Sequence, residues 1–181
     1  MTEPLTLLET ADLLGRCRYV ELSLFGRLGA RAPSCADAAL VVYLSGASLA
    51  HGFRAGLVES LLPVSAGLAG AEAWTRTPGG HLDEALDVLV GPGADEELLD
   101  ALVGVVYPAM AVAYAEHAAA ASGPADTAVR RVLRRVLADL DGLTADGRAL
   151  APARGASARA ARVRELLDAV PGPFGPLAGP T

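Results

Sequence analysis

The sequence lacks four residue types altogether and has few cysteines, and the shortage of cysteine excludes one kind of metal site. Lysine, isoleucine, asparagine and glutamine do not occur among the 181 residues, so all 15 basic residues are arginine. This bias is typical of a GC-rich genome and indicates no function. Cysteine occurs only twice, and the two cysteines do not have the short spacing of a thiolate metal motif. A metal site built on paired cysteines is therefore excluded.

Positive charge is scarce relative to negative charge. The formal net charge is -6, whereas binding of nucleic acid depends on clustered cations that neutralise phosphates. We therefore expect no nucleic-acid partner. The local exception is a group of four arginines that could bind a phosphate, although a solvated helix face is the preferred interpretation: Arg130, Arg131, Arg134 and Arg135.

Signals for secretion and membrane insertion are weak. The uncharged run over residues 101–115 has 15 residues, whereas a spanning helix needs about 20. Glu3 and Pro4 stand where a signal peptide would have basic residues and then an apolar core. We expect a cytoplasmic protein that does not enter the membrane.

The length fits one domain of ordinary size, because two domains would leave each with a small core. We predict a single helical domain over residues 1–170. Residues 171–181 are rich in proline and glycine, so we predict a disordered tail there.

Capping patterns mark two helices near the N-terminus. Thr6 with Glu9 forms a capping box and predicts a first helix over residues 6–29. Ser34 with Asp37 repeats the spacing and predicts a second helix, which reaches Leu62. A turn near residue 32 would join them as an antiparallel hairpin.

The position of that turn also bears on the cysteines. Cys17 lies about 15 residues before residue 32 and Cys35 about 3 after it, so the two would be roughly 18 Å apart along the axis. That distance excludes a disulfide.

A long connection rich in glycine and proline follows over residues 63–94, with a short helical piece near 81–90. A third helix is predicted from Asp95 to about residue 121, kinked at Pro108. A fourth begins after Gly123. Its apolar residues recur at three- and four-residue spacing and so share one face. They are Val129, Val132, Leu133, Val136, Leu137 and Leu140. A further amphipathic helix is predicted near residues 156–170.

Isolated polar residues stand on the apolar faces of these helices. They are Glu21 in the first, His51 in the second, and Glu116 with His117 in the third. The fourth helix adds Asp139. Carboxylates and imidazoles are common metal ligands, but each residue also has a structural interpretation: a salt bridge from Glu21 to Arg18, a satisfied core histidine at 51, and solvent exposure for the rest.

Three segments resemble ferritin-like proteins of GC-rich bacteria: RCRYVELSLFGRLG at 16–29, AHGFRAGLVESLLP at 50–63 and AYAEHAAAASGPADTAVRRVLRRVLADLDG at 113–142. The resemblance implies an all-α, ferritin-like four-helix bundle with a long crossover between the second and third helices. Metal-binding members of that superfamily hold two iron or manganese ions with two single glutamates and two Glu-x-x-His motifs.

The chain departs from that ligand pattern. Glu21, His51 and Glu116 match ligand positions, and Asp139 is a shortened carboxylate at a fourth. Ser48 and Gly142 stand where a glutamate and a histidine are required. The resemblance therefore implies an incomplete ligand set.

Helix geometry gives a separate expectation. With a turn near residue 32, Glu21 and His51 would differ in height by roughly 12 Å and could not share one ion. Glu21 would then lie level with Asp139, and His51 level with Glu116. The sequence thus predicts two polar layers at different heights in the bundle, one with Glu21 and Asp139 and the other with His51 and Glu116.

The preferred function is binding or assembly by a ferritin-like bundle without a standard dinuclear centre. The alternative is a metal-dependent, diiron-type oxidoreductase with an atypical site, and a small-ligand carrier is compatible with both. We expect no cofactor in the first case and iron or manganese in the second. Thin segments of the second helix, around Gly46, Gly52 and Gly56, favour close helix packing within the bundle or across a homodimer.

Overall fold

A computed structural model describes residues 5–63, 70–121, 123, 126–150, 157–169 and 173–175. The described residues fold as helices joined by turns, and they contain no β-strand. The predicted all-α class is therefore confirmed.

Helix α1 (Leu7–Arg31) begins where the capping box predicts. The Thr6 hydroxyl accepts a hydrogen bond from the Glu9 amide at 3.2 Å, and the Glu9 carboxylate accepts one from the Thr6 amide at 2.7 Å. These reciprocal bonds satisfy amides that the first helical turn leaves without partners.

Helix α2 (Ala38–Glu59) begins three residues later than predicted, and it ends three residues before Leu62. Asp37 is its N-cap, and the carboxylate of Asp37 accepts from the Ala39 amide at 2.8 Å. Ser34 instead donates to the Arg31 carbonyl and ends a short 3₁₀ turn, Ala32–Ser34. The chain therefore reverses over residues 32–37, not near residue 32 alone.

The connection after α2 contains two short helices, α3 (Ala71–Trp74) and α4 (Gly80–Val90). Helix α4 confirms the helical piece predicted near residues 81–90. Residues 64–69 lie outside the described part of the chain.

The third long helix is interrupted by a π turn. Helix α5 (Asp95–Ala101), the π turn Leu102–Val106 and helix α6 (Tyr107–Ala120) follow one another without a break. Pro108 has no amide proton to bond the carbonyl four residues earlier, which belongs to Gly104. Arg164 donates to that carbonyl at 3.3 Å, so the distortion lies just before the predicted kink.

The combined helix Asp95–Ala120 has 26 residues and is long and apolar enough to cross a membrane. In this structure 56% of its most apolar window is buried inside the molecule. A core helix of a soluble protein passes the same test of length and composition, so the finding is weak evidence for a membrane.

Helices α7 (Thr127–Leu150) and α8 (Ala158–Asp168) complete the fold. The predicted apolar stripe of α7 faces inwards, and its buried members are Val129, Leu133, Val136 and Leu140. Most of the predicted C-terminal tail lies outside the described residues. Within it, Phe174 is buried and packs on Tyr114 with ring centroids 4.4 Å apart.

Packing joins these helices around one apolar core. Helix α1 packs most extensively against α2, α2 also touches α7, and α7 packs against α6. Helices α4 and α5 pack against α8 at another part of the core. Long helices from distant parts of the chain thereby surround the polar residues described next.

A buried polar cluster as candidate functional site

Five polar side chains meet in the core without contact with solvent. They form the buried cluster: Glu21 from α1, His51 and Arg54 from α2, and Tyr107 and Tyr114 from α6. Each has 0% exposed surface. Since charged groups are rarely buried without partners, the cluster is the most unusual feature of the core.

Helical spacing accounts for this convergence. On α1, Glu21 continues the buried series Leu14, Cys17, Leu24 and Leu28 at intervals of three and four residues. Such residues share one face of a helix. The corresponding series on α6 is Tyr107, Met110, Tyr114 and His117. Polar groups in these series must therefore point into the core.

Three neighbours contact the carboxylate of Glu21. Tyr114 donates its hydroxyl proton to Oε1 at 2.5 Å. Nε of Arg54 lies 3.2 Å from Oε1 and 3.1 Å from Oε2. Nδ1 of His51 lies 2.6 Å from Oε2. Both carboxylate oxygens are therefore satisfied, as a buried charge requires.

His51 lies between an anion and a cation. Its Nδ1 is 2.6 Å from Glu21 Oε2 and 2.7 Å from Nη2 of Arg54, and its Nε2 is 3.3 Å from the Tyr107 hydroxyl. The two contacts at Nδ1 compete, because the carboxylate of Glu21 only accepts and the guanidinium of Arg54 only donates. We assign the proton to Nδ1, since its contact with Glu21 is the closer one and Nε2 can then accept from Tyr107. The nearby guanidinium opposes a second proton on the ring.

These contacts determine the charge of the cluster. Burial raises the pKa of Glu21, but His51, Arg54 and Tyr114 outweigh burial and hold the pKa below its usual value. Burial lowers the pKa of His51, and Arg54 adds to this effect against the opposing influence of Glu21. At neutral pH the cluster therefore contains a carboxylate, a guanidinium and a neutral imidazole.

A second buried pair lies one helical turn away. Sγ of Cys17 is 4.0 Å from Nδ1 of His117. Burial, together with the charge of Arg16, lowers the pKa of His117 to about 4. Burial raises the pKa of the Cys17 thiol, and Glu21 adds to that effect. The pair is thus neutral and lacks the thiolate of a reactive cysteine. No partner for Nε2 of His117 is found among the described residues.

The contact between Glu21 and His51 shows that the two-layer prediction is wrong. Glu21 lies 15 residues before Ala36 and His51 lies 15 after it, so a reversal centred near Ala36 brings them level. The prediction placed the reversal at residue 32. A four-residue shift of a hairpin turn changes relative height by eight residues, or about 12 Å.

The other predicted ligands lie elsewhere. Glu116 is exposed and Asp139 is half-buried, and neither is among the described hydrogen-bond partners of Glu21 or His51. Solvent exposure of His117 was also expected and is wrong, because its side chain is fully buried. Within the described part of the chain, no three His, Cys, Asp or Glu residues are grouped to hold a metal ion.

The salt bridge expected between Arg18 and Glu21 is also absent from the described contacts. Nη2 of Arg18 instead lies 3.0 Å from Glu59 and 3.3 Å from Glu72. Arg18 therefore ties α1 to the end of α2 and to α3, while Glu21 turns to the core. Both cysteines are free, as the separation of Cys17 and Cys35 predicts.

Three members of the cluster escaped the sequence analysis. Arg54 follows His51 by one turn on the same face of α2 but is not among the candidate residues of the sequence. Tyr107 and Tyr114 were part of an apolar run. The three-and-four spacing from Tyr107 to His117 was the signal that could have identified the tyrosines as core residues.

The fold and the cluster define an all-helical protein with an ion pair and a histidine sealed in its core. Comparison with known proteins adds no relative: the chain matches no protein-family model, no curated protein and no solved structure.

Proposed function

We propose that the chain is a ferritin-like helical bundle that lacks a standard dinuclear metal centre and acts through binding or assembly. One observation carries the proposal. The Arg54 guanidinium contacts the same carboxylate and imidazole atoms that would ligate a metal ion. A resident organic cation thus neutralises Glu21 in the place of a metal.

Electrostatics supports this interpretation. A divalent ion about 4 Å from a fixed guanidinium is repelled by about 8 kcal/mol at an effective dielectric constant of 20. Structural zinc sites, with a full set of ligands, gain roughly 10–16 kcal/mol on binding. With Glu21 and His51 as the ligands near Arg54, this repulsion would offset most of the gain.

The arrangement of long helices supports the ferritin-like part of the proposal. Helices α1, α2, α7 and α6 pack in that order as neighbours. The connection from the end of α2 at Glu59 to the start of α5 at Asp95 is long, as in bundles with a crossover. The cluster then has a structural role, because one set of hydrogen bonds holds three helices in a single register.

The test is elemental analysis of the full chain, produced with iron and manganese and purified without chelator. We expect less than about one tightly bound iron or manganese per chain, because the ligand set of a dinuclear site is incomplete. The matched control is Glu116→Ala, which changes an exposed carboxylate. About two metal ions per chain, lost in Glu21→Ala and kept in the control, would contradict the proposal.

The second candidate is the diiron-type oxidoreductase with an atypical site. The observation that favours it is the direct contact of Glu21 and His51, since a carboxylate and an imidazole are ligands of such centres. The same elemental analysis separates the two candidates.

The cytoplasmic location of the protein stays a prediction.

A further inference from the structure

The outer face of α2 is apolar and largely exposed. The α2 stripe consists of Val42, Gly46, Leu49, Phe53 and Gly56, and its three large side chains are 73%, 70% and 52% exposed in chain order. Their intervals of four and three residues place them along one face. Single exposed apolar residues are common, but a continuous row of them indicates an interaction surface.

The stripe also lacks charge. Between Asp37 and Glu59 the only charged residue of α2 is Arg54, and Arg54 is buried. A surface without charge over this length is unusual for a solvent-facing helix, whose outer face normally carries charged or polar residues.

The glycines of α2 divide into two groups. A Cβ atom added to Gly52 would lie 3.1 Å from the Phe25 ring, so Gly52 serves the close packing of α1 on α2. A Cβ atom added to Gly46 or Gly56 would meet no atom within 4 Å. No described residue of this chain therefore packs closely against the stripe at Gly46 or Gly56.

We propose that a second copy of this chain covers the α2 stripe in an antiparallel, two-fold symmetric pair centred on Leu49. The inference rests on the proposed function, since it names the partner of the proposed assembly. With Leu49 on the axis, Val42 lies opposite Gly56 of the second copy, because each is seven residues from Leu49. Phe53 lies opposite Ser45. Large side chains thus face small ones on both sides of the axis, as a self-complementary surface requires.

The size of the surface fits a weak dimer. The stripe runs over 15 residues, from Val42 to Gly56, or about 21 Å along the helix. Phe25 of α1 extends the apolar surface on one side. On the other side the Arg135 guanidinium of α7 lies over the Phe53 ring at 5.3 Å and brings a charge to the edge of the stripe. Helices packed 8–10 Å apart make this face about 20 Å wide. Two such faces would bury about 840 Å² in total, below the roughly 1,000 Å² of a stable interface, so we expect a weak dimer.

The glycines favour a helix as the occupant over a lipid surface. Small residues at an interface let two helix backbones approach closely, whereas a lipid surface needs no such gap. A monomeric protein that binds phosphatidylcholine vesicles would assign the stripe to lipid and overturn the proposal.

The first test is the molar mass of the full chain by light scattering at about 100 µM. We expect twice the 18.4 kDa of one chain and a return to one chain mass in Leu49→Glu, which brings two carboxylates together on the axis. The matched control is Val112→Glu, since Val112 is exposed on α6 outside the stripe. A monomeric parent protein, or loss of the dimer in the control alone, would overturn the proposal.

The second test is oxidative cross-linking of Leu49→Cys. A residue on the axis meets its own copy, so we expect a covalent dimer that neither the parent protein nor Val112→Cys forms. A dimer without cross-linking at residue 49 would mean that another face is used. Metal content separates the two proposals: a dimer with two metals per chain would contradict only the proposed function, and a metal-free monomer only the dimer.

Discussion

The two faces of α2 contrast sharply. The face towards the core carries polar and charged groups, namely Ser48, His51 and Arg54, while the face towards solvent carries Val42, Leu49 and Phe53. An ordinary surface helix has the reverse arrangement. Buried polar groups and exposed apolar side chains each need a partner. Helices α1 and α6 supply it inside, and a second copy is proposed to supply it outside.

The largest expected effect comes from the inner face. Arg54→Ala leaves the buried Glu21 carboxylate without its cation, and removal of one partner of a buried ion pair costs about 3–5 kcal/mol. We expect a loss of this size in the free energy of unfolding, measured with urea.

The matched control for this prediction is Arg159→Ala. Arg159 is also buried but donates to the carbonyls of Leu89 and Pro92, so its loss leaves no buried charge unpaired and should cost less. Equal losses in the two variants would show that Arg54 acts only through packing.

A smaller effect on the free energy of unfolding is expected from pH, through His117, which forms a buried pair with Cys17. The pKa of His117 falls from 6.5 to about 4 in the folded protein, so the unfolded chain binds more protons between these values. Stability therefore falls as pH falls through this window. For one such histidine the loss between pH 7 and pH 5 is about 2 kcal/mol.

His117→Leu should remove that part of the pH dependence while the contribution of His51 remains. Urea unfolding at pH 7 and pH 5 measures it, with the exposed His81→Ala as control. An unchanged difference between the two pH values in His117→Leu would contradict the assignment of a buried neutral imidazole.

The smallest effect distinguishes the glycines of the two faces. In the monomeric Leu49→Glu background, Gly46→Ala adds a methyl group to open space and should stabilise α2 by about 0.5–1 kcal/mol, because alanine is the better helix former. Gly52→Ala places its methyl group against the Phe25 ring and should give less than this gain. Thermal unfolding measures both, and equal gains would argue against the close contact of α1 with α2.

The helices were largely predictable because their signals are local. The Thr6 cap, the short helix before Gly91 and the apolar stripe of α7 each depend on neighbouring residues, and the structure contains all three. The start of α2 was not predictable in the same way. Ser34 and Asp37 both offer a cap, and the choice between them depends on the 3₁₀ turn that Ser34 ends.

That choice had a large effect on the site. Moving the turn by four residues places Glu21 beside His51 instead of about 12 Å above it. The role of Arg54 depends on this register as well, since a guanidinium can bridge two groups only when they lie level. Local patterns thus identify which residues point inwards, whereas tertiary register decides which of them meet.

The most direct test of the account is a Co²⁺ titration of the full chain, followed by visible absorption. Arg54→His replaces the resident cation by a third ligand beside Glu21 and His51, and two histidines with a glutamate suit a divalent ion. Arg54→Met removes the cation without adding a ligand and is the control. We predict a tight Co²⁺ site in Arg54→His, and no tight site in the parent protein or the control. Tight binding by the parent protein that is lost in Glu21→Gln would contradict the claim that Arg54 stands in the place of a metal.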